Sequence, residues 1–93
     1  MGRKPRTFPP VHPGVTLRED FLKPLGLSAN RLASELGIPA ARIHDIVRGN
    51  RAITADSALR LARFFGTTLQ FWMNLQANYD LEMAMSERGS EIS

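Results

Sequence analysis

Ninety-three residues make one domain with one modest core, because a chain of this size buries only roughly 60–65% of its unfolded surface. The absence of cysteine excludes disulfides, thiolate metal sites and cysteine nucleophiles, and it fits a reducing cytoplasm. Twelve basic and nine acidic residues leave a net +3, distributed as +3 over residues 1–27, +2 over 28–51, +1 over 52–78 and −3 from Tyr79 onward. Ten of the twelve cations are arginine, which suits forked contacts with phosphate and guanine, although a solvated surface explains the same excess.

No apolar run approaches the ~18 residues of a membrane span, and "MGRKPRTFPPVHPG" lacks the apolar segment of a signal peptide. Nothing reads as a strand, so the expected fold class is all-α. Residues 1–12, with Pro5, Pro9, Pro10, Arg3, Lys4 and Arg6, read as a flexible basic arm. A first helix is expected over 13–25 with Val15, Phe21, Leu22 and Leu25 inward, and Pro24 should end it or distort its last turn. Ser28 caps a second helix that buries Leu32, Ala33 and Leu36 and stops at Gly37. A third helix takes Pro39 in its first turn and buries Ile43, Ile46 and Val47. Thr54 starts a fourth, with Asp56 in its positive first turn and Ala58, Leu59, Ala62 and Phe65 buried. A fifth spans about 68–85, and 86–93 reads as a frayed tail. The folded domain is thus expected over 13–85.

The second and third helices raise the functional question. Ala33 is small enough for two helices to approach at a steep angle, Gly37 allows the tight turn, and Ile38 plugs the corner. Ile43 and Ile46 then hold the third helix from beneath. At ~100° per residue, Ala41, His44, Asp45 and Arg48 point the opposite way, with Arg42 on the flank. A helix with both sides buried would not display histidine, aspartate and arginine. An ordinary helical hairpin would tolerate that composition too, but Asn50, Arg51 and the start of the fourth helix follow at once and suit a phosphate clamp.

Three stretches carry a family resemblance: "HPGVTLREDFLKPLGLSANRLASELGIP", "DIVRGNRAITADSALRLARFFGT" and "FWMNLQANYDLE". In this order, within residues 12–81, they resemble the HigA-type antitoxins, a branch of the lambda-repressor-like helix–turn–helix family. The resemblance implies a five-helix domain with its helix–turn–helix at helices 2 and 3. It also implies a homodimer on palindromic operator DNA in its own promoter, and a small RelE-like, mRNA-cleaving toxin as protein partner. Ala29, Ala41, His44 and Asn50 depart from the residues common in the family, so the operator sequence does not transfer.

Expected DNA contacts are Ser28 and Asn30 at the start of the second helix; Ala41, Arg42, His44, Asp45 and Arg48 on the third; and Asn50, Arg51 and Thr54 beyond it. Arg48 is the foremost reader of base or phosphate; its alternative is an i,i+3 pair with Asp45. Phe71, Trp72, Leu75, Tyr79 and Met83 are expected at a dimer interface, with extra monomer core as the alternative for Trp72 and Leu75. No cofactor, metal or small-molecule substrate is expected. His12 and His44 stand far apart, there is no HExxH and no Gly-rich phosphate loop, and adjacent Glu19 and Asp20 make a poor acid–base pair. A stand-alone repressor without a toxin, and a protein-binding adaptor, are the competing readings. The arm, the first helix and the fifth are all candidates for toxin contact.

Overall fold

The computed structural model describes residues 9–92, with side chains through Glu87, and every regular element in that span is helical. The basic arm's Arg3, Lys4 and Arg6 lie outside the described residues. The first helix, α1, has three contiguous pieces: an α-turn Pro13–Thr16, a π-helical stretch Leu17–Leu22 and a closing turn Lys23–Leu25. The others are α2 (Ala29–Leu36), α3 (Ala40–Val47), α4 (Ala55–Phe65) and α5 (Leu69–Ile92). The last continues past Met85, so the expected frayed tail is helical as far as Ile92. No proline interrupts "MSERGSEI", and Ser93 lies outside the described residues.

The π-helical stretch follows from Pro24. Its ring would strike the carbonyl of Asp20 four residues back, and it has no N–H to give. The chain widens by one residue instead, and the Lys23 N–H bonds back to the Arg18 carbonyl. This shifts the phase of the buried face. Pro13, Gly14, Leu17 and Leu22 are buried, whereas Val15 is partly exposed and Leu25 is 62% exposed, against expectation. The Leu17-to-Leu22 step is the five-residue repeat of a π-turn.

The core joins Leu17 and Leu22 to Leu32, Ala33, Leu36, Ile43, Ile46, Ile53, Ala58, Leu61, Ala62 and Trp72. In α4 Leu59, expected inward, is exposed, and Leu61 is buried, because Ser57, Ala58, Leu61 and Ala62 form the inward face. Trp72 is wholly buried among Phe21, Phe65 and Phe71, with ring centroids 5.0 Å from both Phe21 and Phe71. Its indole N–H donates to Thr67 Oγ1 at 2.7 Å, so the one polar atom of the ring is satisfied. Trp72 is therefore core and not interface, a correction to the dimer-face expectation.

Candidate nucleic-acid interface

The α2–α3 unit is built as its residues dictate. Ser28 Oγ accepts from the Arg31 N–H (3.0 Å), capping α2. Gly37, at φ +70°, closes α2 in the left-handed conformation, and the Ile38 N–H returns to the Ala33 carbonyl at 3.1 Å. Pro39 stands at the N-cap of α3, one residue before its expected place in the first turn. Ile43 and Ile46 are wholly buried beneath α3, and Ile38 packs on the core edge. Ala41 and Arg48 are exposed on the opposite side, with His44 and Asp45 half-exposed between them. Asn50, Arg51 and Thr54 line the following loop, all exposed, and Thr54 Oγ1 caps α4 by accepting from the Ser57 N–H at 3.2 Å.

The outward side chains engage one another. His44 Nε2 stands 2.8 Å from Asn30 Oδ1, joining the start of α2 to α3; since this amide oxygen can only accept, the imidazole donates. Asp45 pairs with Arg51 (3.9 Å) and not with Arg48, so the i,i+3 alternative for Arg48 is not what the structure contains. Among the described residues Arg48 forms no ion pair. Arg42 is less free than expected: it is half-buried, its terminal nitrogen lies 3.2 Å from Asp56, and its Nε is buried without a partner.

Three residues position this face without a conspicuous local signal. Arg60 donates to the Leu36 carbonyl at the end of α2 (2.7 Å) while its Nε bonds Asp56, so α4 braces the turn from below. Gln76 is buried, and its Oε1 accepts from the Ile53 N–H at 2.7 Å, anchoring the α3–α4 loop to α5. The sequence hint for it was a lone amide on the Trp72–Tyr79 stripe. His12 caps α1, Nδ1 accepting from the Gly14 N–H at 2.9 Å, and its ring meets Tyr79 of α5 edge-on at 4.9 Å. Its signal was a cap-competent side chain directly before Pro13. Partial burial holds its pKa below the ordinary 6.5, with the Arg51 carbonyl and Asp80 pulling the other way.

On the expected dimer face Leu75 is half-buried and packs on the core, Tyr79 is half-buried against His12, and Met83 is half-buried. Phe71 is partly exposed, and Leu81 and Met85, at 58% and 60%, are the most exposed large apolar residues of α5 among the described side chains. No group of three or more His, Cys, Asp or Glu side chains among the described residues is placed to hold a metal ion.

Comparison with known proteins agrees with this architecture. The HTH_3 family model, described as helix-turn-helix, matches residues 19–72. Virulence-associated protein I of Dichelobacter nodosus is 54% identical over 83 residues, 89% of this chain and 77% of that protein. Antitoxin HigA-1 of Vibrio cholerae is 35% identical over 77% of this chain and 68% of its own length. The structure of Pseudomonas aeruginosa antitoxin HigA with the higBA promoter superposes with a TM-score of 0.85 at 46% identity, covering 90% of this chain and 91% of that one. The chain belongs to the lambda-repressor-like helix-turn-helix family, in its HigA-type branch.

Proposed function

We propose that this protein binds operator DNA as a homodimer, represses its own operon, and neutralises a RelE-like toxin as the antitoxin of a toxin–antitoxin pair. The observation that carries the DNA reading is the outward face of α3. It presents Ala41, His44, Asp45 and Arg48 to solvent while Ile43 and Ile46 fix the helix from below. Arg51, Asn50 and the capped start of α4 stand beside it, where backbone N–H groups and a cation suit phosphate. Arg48 reads the major groove, and Ser28, Asn50, Arg51 and Thr54 hold the backbone. The solved relative with the higBA promoter supports DNA as the ligand.

A homodimer supplies the spacing that a palindrome needs, two recognition helices about 34 Å apart. The exposed apolar residues of α5 support that assembly, Leu81 and Met85 above all. The toxin arm of the proposal rests on the HigA-type relatives.

The test is a gel-shift with the DNA upstream of the gene, paired with Arg48→Ala. If Arg48 reads a base, the substitution costs about 1–3 kcal/mol of operator affinity and flattens preference at that position. An equal loss on all DNA makes it a phosphate contact, and no specific shift at moderate salt refutes DNA recognition. Co-purification with the product of the adjacent gene tests the toxin; specific DNA binding without it leaves a stand-alone repressor.

A further inference from the structure

We propose that His12 is a positioning residue for DNA binding, one that ties α1 and α5 to the loop Gly49–Arg51 at the end of α3. The inference rests on the DNA reading above. Three elements meet at this ring. On α1, Nδ1 accepts the Gly14 N–H. From α5, Tyr79 packs edge-on against it and Asp80 contributes a negative charge. From the loop, Gly49 lies over the imidazole at φ +83°, where a Cβ would stand 3.7 Å from His12 Cγ, and the Arg51 carbonyl faces the ring. Gly14, bonded to the same ring, lies against the Ile46–Val47 backbone at the end of α3. His12 thereby touches α1, α5 and the loop that carries Asn50 and Arg51.

The geometry requires one protonation state. A nitrogen that accepts the Gly14 N–H carries no hydrogen, so the second nitrogen holds the ring's only proton. In an imidazolium both nitrogens donate, and the cap on α1 is lost. Burial favours the neutral form, and Asp80 and the Arg51 carbonyl oppose it. Tyr79 is the remaining titratable side chain against the ring, and the Arg51 guanidinium is turned to Asp45. Protonation should therefore loosen the loop and weaken DNA binding as pH falls below the ordinary imidazole value.

The chain has only two histidines, which makes the test clean. In a His44→Gln background His12 is the sole imidazole, and the background's own effect cancels in ratios. Operator affinity should fall severalfold between pH 7.5 and 5.5, with about tenfold as the ceiling set by an unshifted imidazole. Adding His12→Asn keeps an oxygen that can cap Gly14. That protein should lose about two- to tenfold in affinity at pH 7.5 and show no further histidine-dependent decline. Melting followed by Trp72 fluorescence confirms that each protein is folded at both pH values. In the DNA-free protein the amide resonances of Gly49 to Arg51 should move with the His12 titration and stay still in His12→Asn. Equal pH slopes with and without His12, or loop amides indifferent to it, overturn the inference while operator binding stands. Moving amides with no operator binding by the parent protein at any pH overturn the DNA reading and the inference with it.

Discussion

Gly14→Ala separates packing from helix propensity, because the two predict opposite signs. Alanine in a helical turn normally stabilises over glycine by about 0.5–1 kcal/mol. Here a Cβ would stand 2.8 Å from the Ile46 carbonyl carbon and 3.1 Å from Val47 Cα, and closer still to the Ile46 oxygen. Carbon atoms in contact rest about 3.5–4.0 Å apart, so α1 and α3 would have to separate by roughly an ångström. Every opposing atom is backbone, which has no rotamer to change. Separation also opens the contacts of Leu17 and Ile46, both wholly buried. Overpacking costs about 1–3 kcal/mol, and a clash with unyielding backbone belongs at the upper end, so after the propensity gain a net loss of roughly 2 kcal/mol is expected. For a domain of this size that lowers the melting temperature by about 4–8 °C per kcal/mol. Urea denaturation read through the single, buried Trp72 measures it, with the midpoint falling at constant slope. A midpoint unchanged or raised would refute the close approach of α1 to α3.

Stability itself should depend on His12. Its folded pKa is lowered, so above pH 6.5 both states are neutral and the contribution is complete. Below 6.5 the unfolded chain takes up the proton first and stability falls until the lowered folded value is passed. Denaturation midpoints of the parent and His12→Asn at pH 7.5 and 5.5 check this, and equal losses would remove His12 as the cause. Leu81→Glu alters the most solvated part of the proposed dimer face and spares the core, so monomer melting should hold within about 0.5 kcal/mol while sedimentation shifts from dimer to monomer. An unchanged dimer would place the interface elsewhere. Asp45→Ala should raise affinity for random-sequence duplex more than for the operator in fluorescence anisotropy; a uniform change would deny Asp45 a part in discrimination.

The ends of α1, α2 and α4 were legible because each rests on local chemistry, whereas α5 runs past its expected end without a capping signal. Ser28 and Thr54 cap where the sequence puts them, and Gly26, Gly37 and Gly66 close α1, α2 and α4 in the left-handed region. The inward faces of α2 and α3 were legible too, since their apolar residues recur with one helical period. The phase of α1 was not, because Pro24 acts backwards along the chain and inserts a wider turn that a 3.6-residue repeat cannot register. Leu59 and Leu61 are equally apolar neighbours, and only the partner helix decides between them. Trp72 satisfied both a core and an interface pattern; the pocket made by Phe21, Phe65 and Phe71 comes from three separate stretches of chain. Arg60 and Gln76 brace the site through single contacts far away in sequence, and the distant contacts of His12 likewise leave no periodicity to read.

The outward face of α3 bears on the proposed recognition in a way its composition alone does not. Two of its charges are already paired in the free protein, Asp45 with Arg51 and Arg42 with Asp56, while Arg48 is not. An exposed pair such as Asp45–Arg51 contributes only ~0–1 kcal/mol, whereas a hydrogen bond to a charged group contributes about 1.5–3 kcal/mol, so a phosphate can draw Arg51 away at little cost. That exchange frees Asp45 on the reading face, where the phosphates repel it and where an acceptor-only side chain needs a donor. In the major groove the amino groups of cytosine and adenine are the donors on offer. A duplex presenting one there compensates the carboxylate; any other leaves it desolvated and unpaired, which costs more than the pair it lost. Under the proposed recognition Arg51 would favour every duplex and Asp45 would disfavour most of them, so the two side chains that pair in the free protein would divide affinity from specificity on DNA.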